Sequence, residues 1–216
     1  MKLATLTTPK GTARYPHLNE PDNKFDSQRA KGGEFHVDLV IAEEDALPLI
    51  ERLENTLKEF IKVKNAEQKE MKKKPFKPFQ TPWSQEEDDE GTPTGNYIFK
   101  FKRGAEWTDR DGNVRTNKIE FFDSQNQKKG KLDEVIGAGS ELKVHFMVRG
   151  WASPLGISCA LDLLKVQIIN LKTYDGGDDS NPFDVEEGGH SFGDDAEADT
   201  PFEAEEVSDT ATSADF

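Results

Sequence analysis

The stretch ELKVHFMVR, residues 141–149, decides the fold because every second residue is apolar, with Lys143, His145, Met147 and Arg149 on the outward face. Its apolar positions, Leu142, Val144, Phe146 and Val148, fall on one face, as in a strand with one buried side. The same alternation predicts strands at 34–41, 97–102 and 118–123. A final strand is predicted over 157–174, and its alternation breaks at Leu163-Leu164, which indicates a β-bulge.

One long helix interrupts these strands. Apolar residues recur every three or four positions over Asp45–Lys74, with Asp45 as the expected N-cap and Pro48 in the first turn. Two prolines that follow Lys74 end the pattern. The interpretation is a single helix inserted into a β-rich chain.

The remaining segments are predicted to be irregular. Residues 1–33 indicate a surface arm with one short edge strand, and the acidic segment 80–95 indicates a loop. Asp111-Gly112 predicts a hairpin turn, and 150–156 a second loop. Strands and helix do not alternate as they do in parallel α/β folds. A small antiparallel barrel with an inserted helix therefore fits best, and a β-sandwich is the alternative.

Charged residues are distributed unevenly along the chain. Its last 42 residues, 175–216, contain 15 Asp or Glu and no Lys or Arg. The whole chain has 28 basic and 42 acidic residues, so 1–174 keeps 28 basic and 27 acidic residues, a net charge of +1. With only 34% hydrophobic residues overall, the division predicts one folded domain, 1–174, followed by a disordered acidic tail, 175–216.

Several functional classes find no support in the sequence. No apolar run of 18 residues predicts a membrane span. The single Cys159 cannot form an intramolecular disulfide and suits a reducing cytosol. The four histidines match no common zinc motif, and no phosphate-binding glycine loop is present. We therefore predict no catalytic residue, metal site or cofactor; a metal-dependent nuclease is the enzymatic alternative.

Basic residues on exposed strand faces, with aromatic residues nearby, are the strongest remaining signal. Such cations neutralise phosphates, and aromatic rings stack on bases for about 1–3 kcal/mol per base. The predicted phosphate contacts are Arg14, Lys100, Lys102, Arg103, Lys118, Lys143 and Arg149. The predicted stacking residues are Trp107, Trp151 and Tyr15. The alternative is that the basic residues are solvated strand faces and that both tryptophans plug the barrel ends.

The acidic tail supports the nucleic-acid interpretation. A tethered polyanion competes for a basic groove at an effective concentration on the order of mM. Its end, Asp215-Phe216, is typical of a terminal peptide ligand for a partner protein. The alternative is an acidic interaction protein or DNA mimic, in which the polyanion occupies the DNA site of another protein.

The order of these features resembles the gene-2.5-type single-stranded-DNA-binding proteins of short-tailed bacteriophages. The resembling segments are Gly11-Thr12-Ala13, Val37-Asp38-Leu39, Phe99-Lys100-Phe101-Lys102, Asp123-Ser124 with 128–131, 136–144, Trp151, Gly156-Ile157-Ser158 and the final Asp215-Phe216. The family pattern has Pro-Tyr-Lys ahead of the tryptophan, where this chain has Arg149-Gly150. The stacking role therefore falls on Trp151 or Trp107.

This resemblance implies an OB-fold barrel with a helix inserted between strands. It implies binding of single-stranded DNA without sequence preference, in phage DNA replication, recombination and repair, in the cytoplasm of an infected bacterium. It also implies a tail whose terminal aromatic residue recruits replication proteins such as the polymerase and the helicase-primase. The resemblance also implies self-association into a homodimer, which is frequent in the family. No membrane partner is expected, because the sequence has no apolar run long enough to span one.

Overall fold

Eleven strands, one α-helix and one short 3-10 helix (Asn23–Phe25) build the part of the chain that the computed structural model describes, residues 1–25, 31–129, 132 and 134–173. The strands are β1 Lys2–Thr7, β2 Gly11–Asp22, β3 Glu34–Ala42, β4 Trp83–Glu87, β5 Pro93–Gly104, β6 Glu106–Thr108, β7 Val114–Thr116, β8 Glu120–Phe122, β9 Lys128–Lys129, β10 Glu141–Ser153 and β11 Gly156–Asn170. The helix, α1, is Glu43–Glu70. The predicted tail, with Asp215 and Phe216, lies outside the described residues.

Five of the strands close into a ring. β10 pairs with β2 and β11, β2 pairs with β3, β3 with β5, and β5 with β11. Counted along the chain, the ring runs first, second, third, fifth and fourth, which is a Greek-key barrel of the OB type. β1 extends the ring at β10, β4 at β5, and β8 with β9 at β11.

The sequence predicts a wholly antiparallel barrel, but two of the observed strand pairings are parallel. β11 runs parallel to β5 at Leu161 and Phe101, and parallel to β8 at Val166 and Phe121. The Greek-key order is the reason, because it brings the third and fifth ring strands together pointing the same way. The short β5–β11 pairing completes the ring.

The interior of the barrel confirms the alternation of 141–149. All four apolar residues named for that stretch are fully buried. The Phe146 ring lies with its centroid 5.0 Å from that of Phe101. The predicted bulge is also confirmed, because Phe146 pairs with Leu163 and His145 with Lys165, so that Leu164 is the extra residue.

Helix α1 starts two residues earlier and ends four residues earlier than predicted. Ala42, and not Asp45, occupies the N-cap position, and no side chain caps the helix there. Pro48 is consequently the sixth helical residue, in the second turn, where it removes one helical hydrogen bond. The early end follows from Lys72, whose φ of 55° is incompatible with a continuing right-handed helix.

One face of α1 packs on the barrel. Its buried residues are Ala46, Leu49, Ile50, Leu53, Leu57 and Phe60. The spacing of three or four also predicts that Leu47 lies on this apolar face, and that prediction was wrong, because Leu47 is 48% exposed. The helix approaches β10 closely at Gly150, where a Cβ atom would lie 2.7 Å from the Phe60 ring. Only glycine fits this contact without displacing the helix.

Two segments predicted to be loops, 80–95 and 150–156, contain strands. The acidic loop 80–95 includes β4 and the start of β5, and its Trp83 is buried. The segment 150–156 is mostly strand, because β10 and β11 extend to within two residues of each other. The hairpin turn at Asp111-Gly112 is confirmed between β6 and β7, with φ of 85° at Gly112.

The predicted surface arm, 1–33, was wrong in a more important way. It supplies β1 and β2, and β2 is a strand of the ring itself. Tyr15, with φ of 48°, and Pro16 interrupt the pairing of β2 with β3 but do not end the strand. None of the described residues forms a helix with both the length and the apolar character needed to cross a membrane.

Candidate nucleic-acid interface

The junction of β5 and β11 carries a surface cavity of about 310 Å³, which we term the β5–β11 groove. Its lining is Glu34, Pro82, Lys100, Lys102, Arg103, Gly104, Arg149, Cys159, Ala160, Leu161 and Asp162. Four predicted phosphate contacts are among these residues. The register explains why, because Lys102 lies opposite Asp162 on β11, and Arg149 lies opposite Ala160 on the other side of β11.

Lys100 and Lys102 are exposed cations of this groove, as is Arg149. The two lysines alternate along β5 with the buried Phe99 and Phe101, so the pleat directs both lysines outward. The Lys102 Nζ atom lies 3.1 Å from Glu34 Oε1. Burial raises the pKa of Asp38, and the nearby positive charge of Lys100 is the strongest influence opposing that rise. The field around the two lysines is therefore positive but partly balanced by acids.

The two groove arginines are engaged by the protein itself. Arg149 binds both carboxylate oxygens of Asp162, at 2.6 and 3.0 Å, and this bond raises the pKa of Arg149. Arg103 donates to the Leu163 carbonyl at 3.0 Å and to Asn117 Oδ1 at 2.8 Å. Both guanidinium groups thus shape the groove wall, and a phosphate would have to compete with these partners.

Arg14 is held on the far side of β3. It forms an ion pair with Glu86, a buried carboxylate on β4. Hydrogen bonds from Thr94 and Asn96 hold the pKa of Glu86 below its usual range, and the charge of Arg14 adds to this effect. Arg14 therefore has a structural role in tying β2 to β4.

The remaining predicted phosphate contacts lie away from the groove. Lys118 and Tyr15 line a second cavity of about 1040 Å³, bordered by β2 and β8. Lys143 lies at the opposite end of β10 from Arg149, beside Gln167 of β11. The structure thus gathers Lys100, Lys102, Arg103 and Arg149 but separates them from Lys118 and Lys143.

The two predicted stacking tryptophans lie in different environments. Trp107 is on the β6–β7 hairpin and is 52% exposed. Trp151 is half-buried near the end of β10, with its ring edge-on to Phe79 at 5.9 Å between centroids. Phe79 was not among the predicted site residues, although its place in a proline-bounded aromatic loop was a signal. Neither tryptophan lines the groove.

The acids of the groove were also missed. Glu34 and Asp162 belong to β3 and β11, and each pairs with a cation from a neighbouring strand. Each pair joins residues of two different strands, so the sequence of one strand does not indicate that its cation has an acidic partner. Their presence lowers the net charge that a phosphate chain would meet.

A third ionic cluster leads to a pH prediction. The Glu120 carboxylate binds Lys128 at 2.7 Å and Lys165 at 2.9 Å, and these bonds lower the pKa of Glu120 from 4.5 to about 2. Because the pKa of Glu120 is lower in the folded state, the ionised carboxylate contributes its full stabilisation above pH 4.5. This contribution is lost as the pH falls through about 2. Glu120→Gln is therefore expected to flatten the acid side of the stability profile.

Urea unfolding of wild type and Glu120→Gln at intervals from pH 5 to pH 2 tests this expectation. Glu51→Gln, on the exposed face of α1, is the matched control. Parallel profiles for wild type and Glu120→Gln would show that the cluster contributes nothing.

Comparisons with known proteins find relatives among phage proteins. The chain is 32% identical to the single-stranded DNA-binding protein of Escherichia phage T7 over 136 residues, which cover 62% of this chain but only 56% of the T7 protein. It is 28% identical to the single-stranded DNA-binding protein of Enterobacteria phage T3 over 206 residues, covering 88% of this chain and 86% of the T3 protein.

Solved structures share the fold. The crystal structure of the T7 protein gp2.5 superposes with a TM-score of 0.65 and 25% identity, covering 87% of this chain and 98% of that chain. The single-stranded DNA-binding protein of phage Enc34, solved in complex with single-stranded DNA, gives a TM-score of 0.53 at 10% identity, covering 78% of this chain and 87% of that chain. The second likeness shows a common fold alone.

The family match spans most of the described residues. Residues 10–171 match the family described as the single-stranded DNA-binding protein of bacteriophage T7, and this range contains the whole closed ring and every residue of the groove. The OB-type barrel and the family resemblance inferred from the sequence are both confirmed. The chain therefore belongs to the family of T7-type single-stranded-DNA-binding proteins.

Proposed function

We propose that this protein coats and protects single-stranded DNA, without sequence preference, during phage DNA replication, recombination and repair in the cytoplasm of an infected bacterium. The observation that carries the proposal is the pair Lys100 and Lys102, exposed side by side in a groove of an OB-type barrel. The names of the T7 and T3 relatives support it.

The groove chemistry suits a single strand. Lys100 and Lys102 are two residues apart and therefore lie on the same face, about 7 Å apart along the strand, close to the spacing of successive phosphates. Bases would stack on Trp107, which is exposed, or on Trp151 beside Phe79. Lys118 and Tyr15 in the second cavity, and Lys143 on β10, would contact a strand that continues past the groove. No step of this function requires catalysis.

The tail is proposed to regulate access to the groove and to recruit replication proteins such as the polymerase and helicase-primase. Self-association into a homodimer is part of the same proposal. The folded domain is taken as 1–174 and the acidic tail as 175–216.

Ending the chain at residue 174 is expected to tighten binding to single-stranded DNA. A tail at ~1 mM effective concentration that binds the groove with a Kd of ~0.1 mM would weaken DNA binding about tenfold. Gel shifts of the full chain and the truncation, on single- and double-stranded DNA, measure this effect. The control is a chain of full length in which amides replace the tail carboxylates, and it should match the truncation. A truncation that loses its activity would instead favour the DNA-mimic function.

Deleting Phe216 alone is expected to leave the affinity for single-stranded DNA within about twofold, because the deletion removes none of the tail's side-chain carboxylates. Binding to the phage polymerase or helicase-primase, followed by surface plasmon resonance, should weaken strongly. If this deletion raised DNA affinity as much as removal of the whole tail, the terminal aromatic residue would itself block the groove.

A further inference from the structure

Two histidines and one aspartate converge at the end of β2. His17 on β2 pairs with His36 on β3, and their ring centroids lie 4.7 Å apart. The Asp22 Oδ2 atom lies 3.7 Å from His17 Nε2 and 3.6 Å from His36 Nε2. Both imidazole nitrogens therefore face the same carboxylate oxygen, and the three candidate ligand atoms lie within 4.8 Å of one another.

The backbone brings Asp22 over the histidines. β2 pairs with β3 at His17–His36 and next at Asp22–Glu34, so five steps along β2 correspond to two along β3. The three extra residues of β2 bend the strand, so that its last residue, Asp22, lies over the two histidines. Gly33 permits the close approach, because a Cβ atom there would lie 2.7 Å from the Asp22 carbonyl oxygen.

The carboxylate is fixed in this position. Asp22 Oδ1 accepts a hydrogen bond of 2.9 Å from the Lys24 backbone N–H, which leaves Oδ2 directed at the imidazoles. The Lys24 bond also holds the pKa of Asp22 below its usual range, so the group remains an anion. An ionised, oriented carboxylate beside two imidazoles is a set of ligands that needs little rearrangement.

We propose that His17, Asp22 and His36 form a binding site for a divalent transition-metal ion of the zinc type. Zinc binds nitrogen and oxygen at about 2.0–2.2 Å with tetrahedral geometry, which separates neighbouring ligand atoms by about 3.3–3.5 Å. The observed 3.6 and 3.7 Å from Asp22 differ from this by only a few tenths of an ångström. Three protein ligands leave a fourth position for water.

The ligand set selects the class of ion. Two imidazoles and one carboxylate favour zinc, cobalt, nickel or copper, whereas magnesium and calcium prefer all-oxygen sites. The ion has a route from solvent, because the His17 side chain is 47% exposed while those of His36 and Asp22 are 17% and 12% exposed. The wide spacing of positions 17, 22 and 36 along the chain hides this site from motif searches.

The test is a titration of the full-length, metal-stripped protein with zinc chloride by isothermal titration calorimetry, and with cobalt chloride by visible absorption. We expect a site of one equivalent with the intense absorption of tetrahedral cobalt, and a zinc-dependent rise in Tm. His36→Gln and Asp22→Asn should each weaken zinc binding at least tenfold. His17→Gln, at a more exposed position, serves where either of these fails to fold.

Two controls separate the cluster from other ligands. His145→Gln alters a histidine on β10 that is hydrogen-bonded to Thr7 of β1, and His190→Gln alters the histidine of the acidic tail. Both should bind zinc as wild type does. The proposal is overturned if no zinc-dependent heat, absorption or Tm shift is seen, or if the cluster variants bind zinc like wild type.

Discussion

A protein carrying both Lys100→Ala and Lys102→Ala is expected to bind single-stranded DNA ~25-fold more weakly at 0.1 M salt. Each phosphate contact with a single strand contributes about 0.7 to the slope of log K against log[salt], and hence about 0.7 log unit at 0.1 M salt. The loss of two contacts should also lower that slope by about 1.4. Removal of Lys102 leaves Glu34 without its ion-pair partner, which adds a repulsive charge to the groove.

Fluorescence anisotropy with a labelled oligonucleotide, at four or more salt concentrations, measures both quantities. The matched control is Lys62→Ala with Lys69→Ala, which removes the same charge from exposed positions of α1. It should leave the slope unchanged. If the two double variants lose affinity equally, only net charge matters and the β5–β11 groove is not the binding site.

Phe146→Ala is expected to destabilise the fold by about 3–5 kcal/mol, the range for removal of a large aromatic side chain from a core. Phe146 is fully buried in the ring and its side chain packs on Phe101. At Phe146, β10 pairs with Leu6 of β1 on one side and Leu163 of β11 on the other, so the cavity would open between two paired strands. The barrel cannot collapse around it without breaking these pairings, which places the cost at the high end.

Urea denaturation followed by circular dichroism gives the free energy of unfolding, provided that the transition is two-state. Phe122→Ala is the control, because this ring is half-exposed on β8 under Lys165. Its expected cost is below about 1.5 kcal/mol. A Phe146→Ala protein as stable as the Phe122→Ala protein would mean that the ring is more plastic than its packing indicates.

The elements that sequence predicted well are those whose pattern is local. From Glu141 to Gly150, β10 alternates in burial, and each of Leu142, Val144, Phe146 and Val148 lies where the pattern placed it. The bulge at Leu164 was visible for the same reason, since a single break in a period of two marks one extra residue. Lys100 and Lys102 follow directly from the period of β5.

The elements that sequence missed depend on partners distant along the chain. β1 and β2 are rich in polar residues, and they are strands because β10 and β3 supply hydrogen-bonding edges for them. Arg149 was predicted to contact phosphate, but in the structure Asp162 of β11 forms an ion pair with it. The same limitation applies to Asp22, which meets two histidines only after the β2 pairing shifts register.

The ring has a consequence for the growing polypeptide during synthesis. Thr7 pairs with His145, and Gly11 with Leu142. Strands β1 and β2, the first to be synthesised, therefore cannot complete their pairing until β10 has been synthesised. Until then β2, β3 and β5 can form only an open sheet with two unpaired edges, which invites aggregation. At 5–20 residues per second, translation from the end of β5 to the end of β11 takes about 3–13 s. The β10–β11 hairpin, emerging last, covers both edges at once.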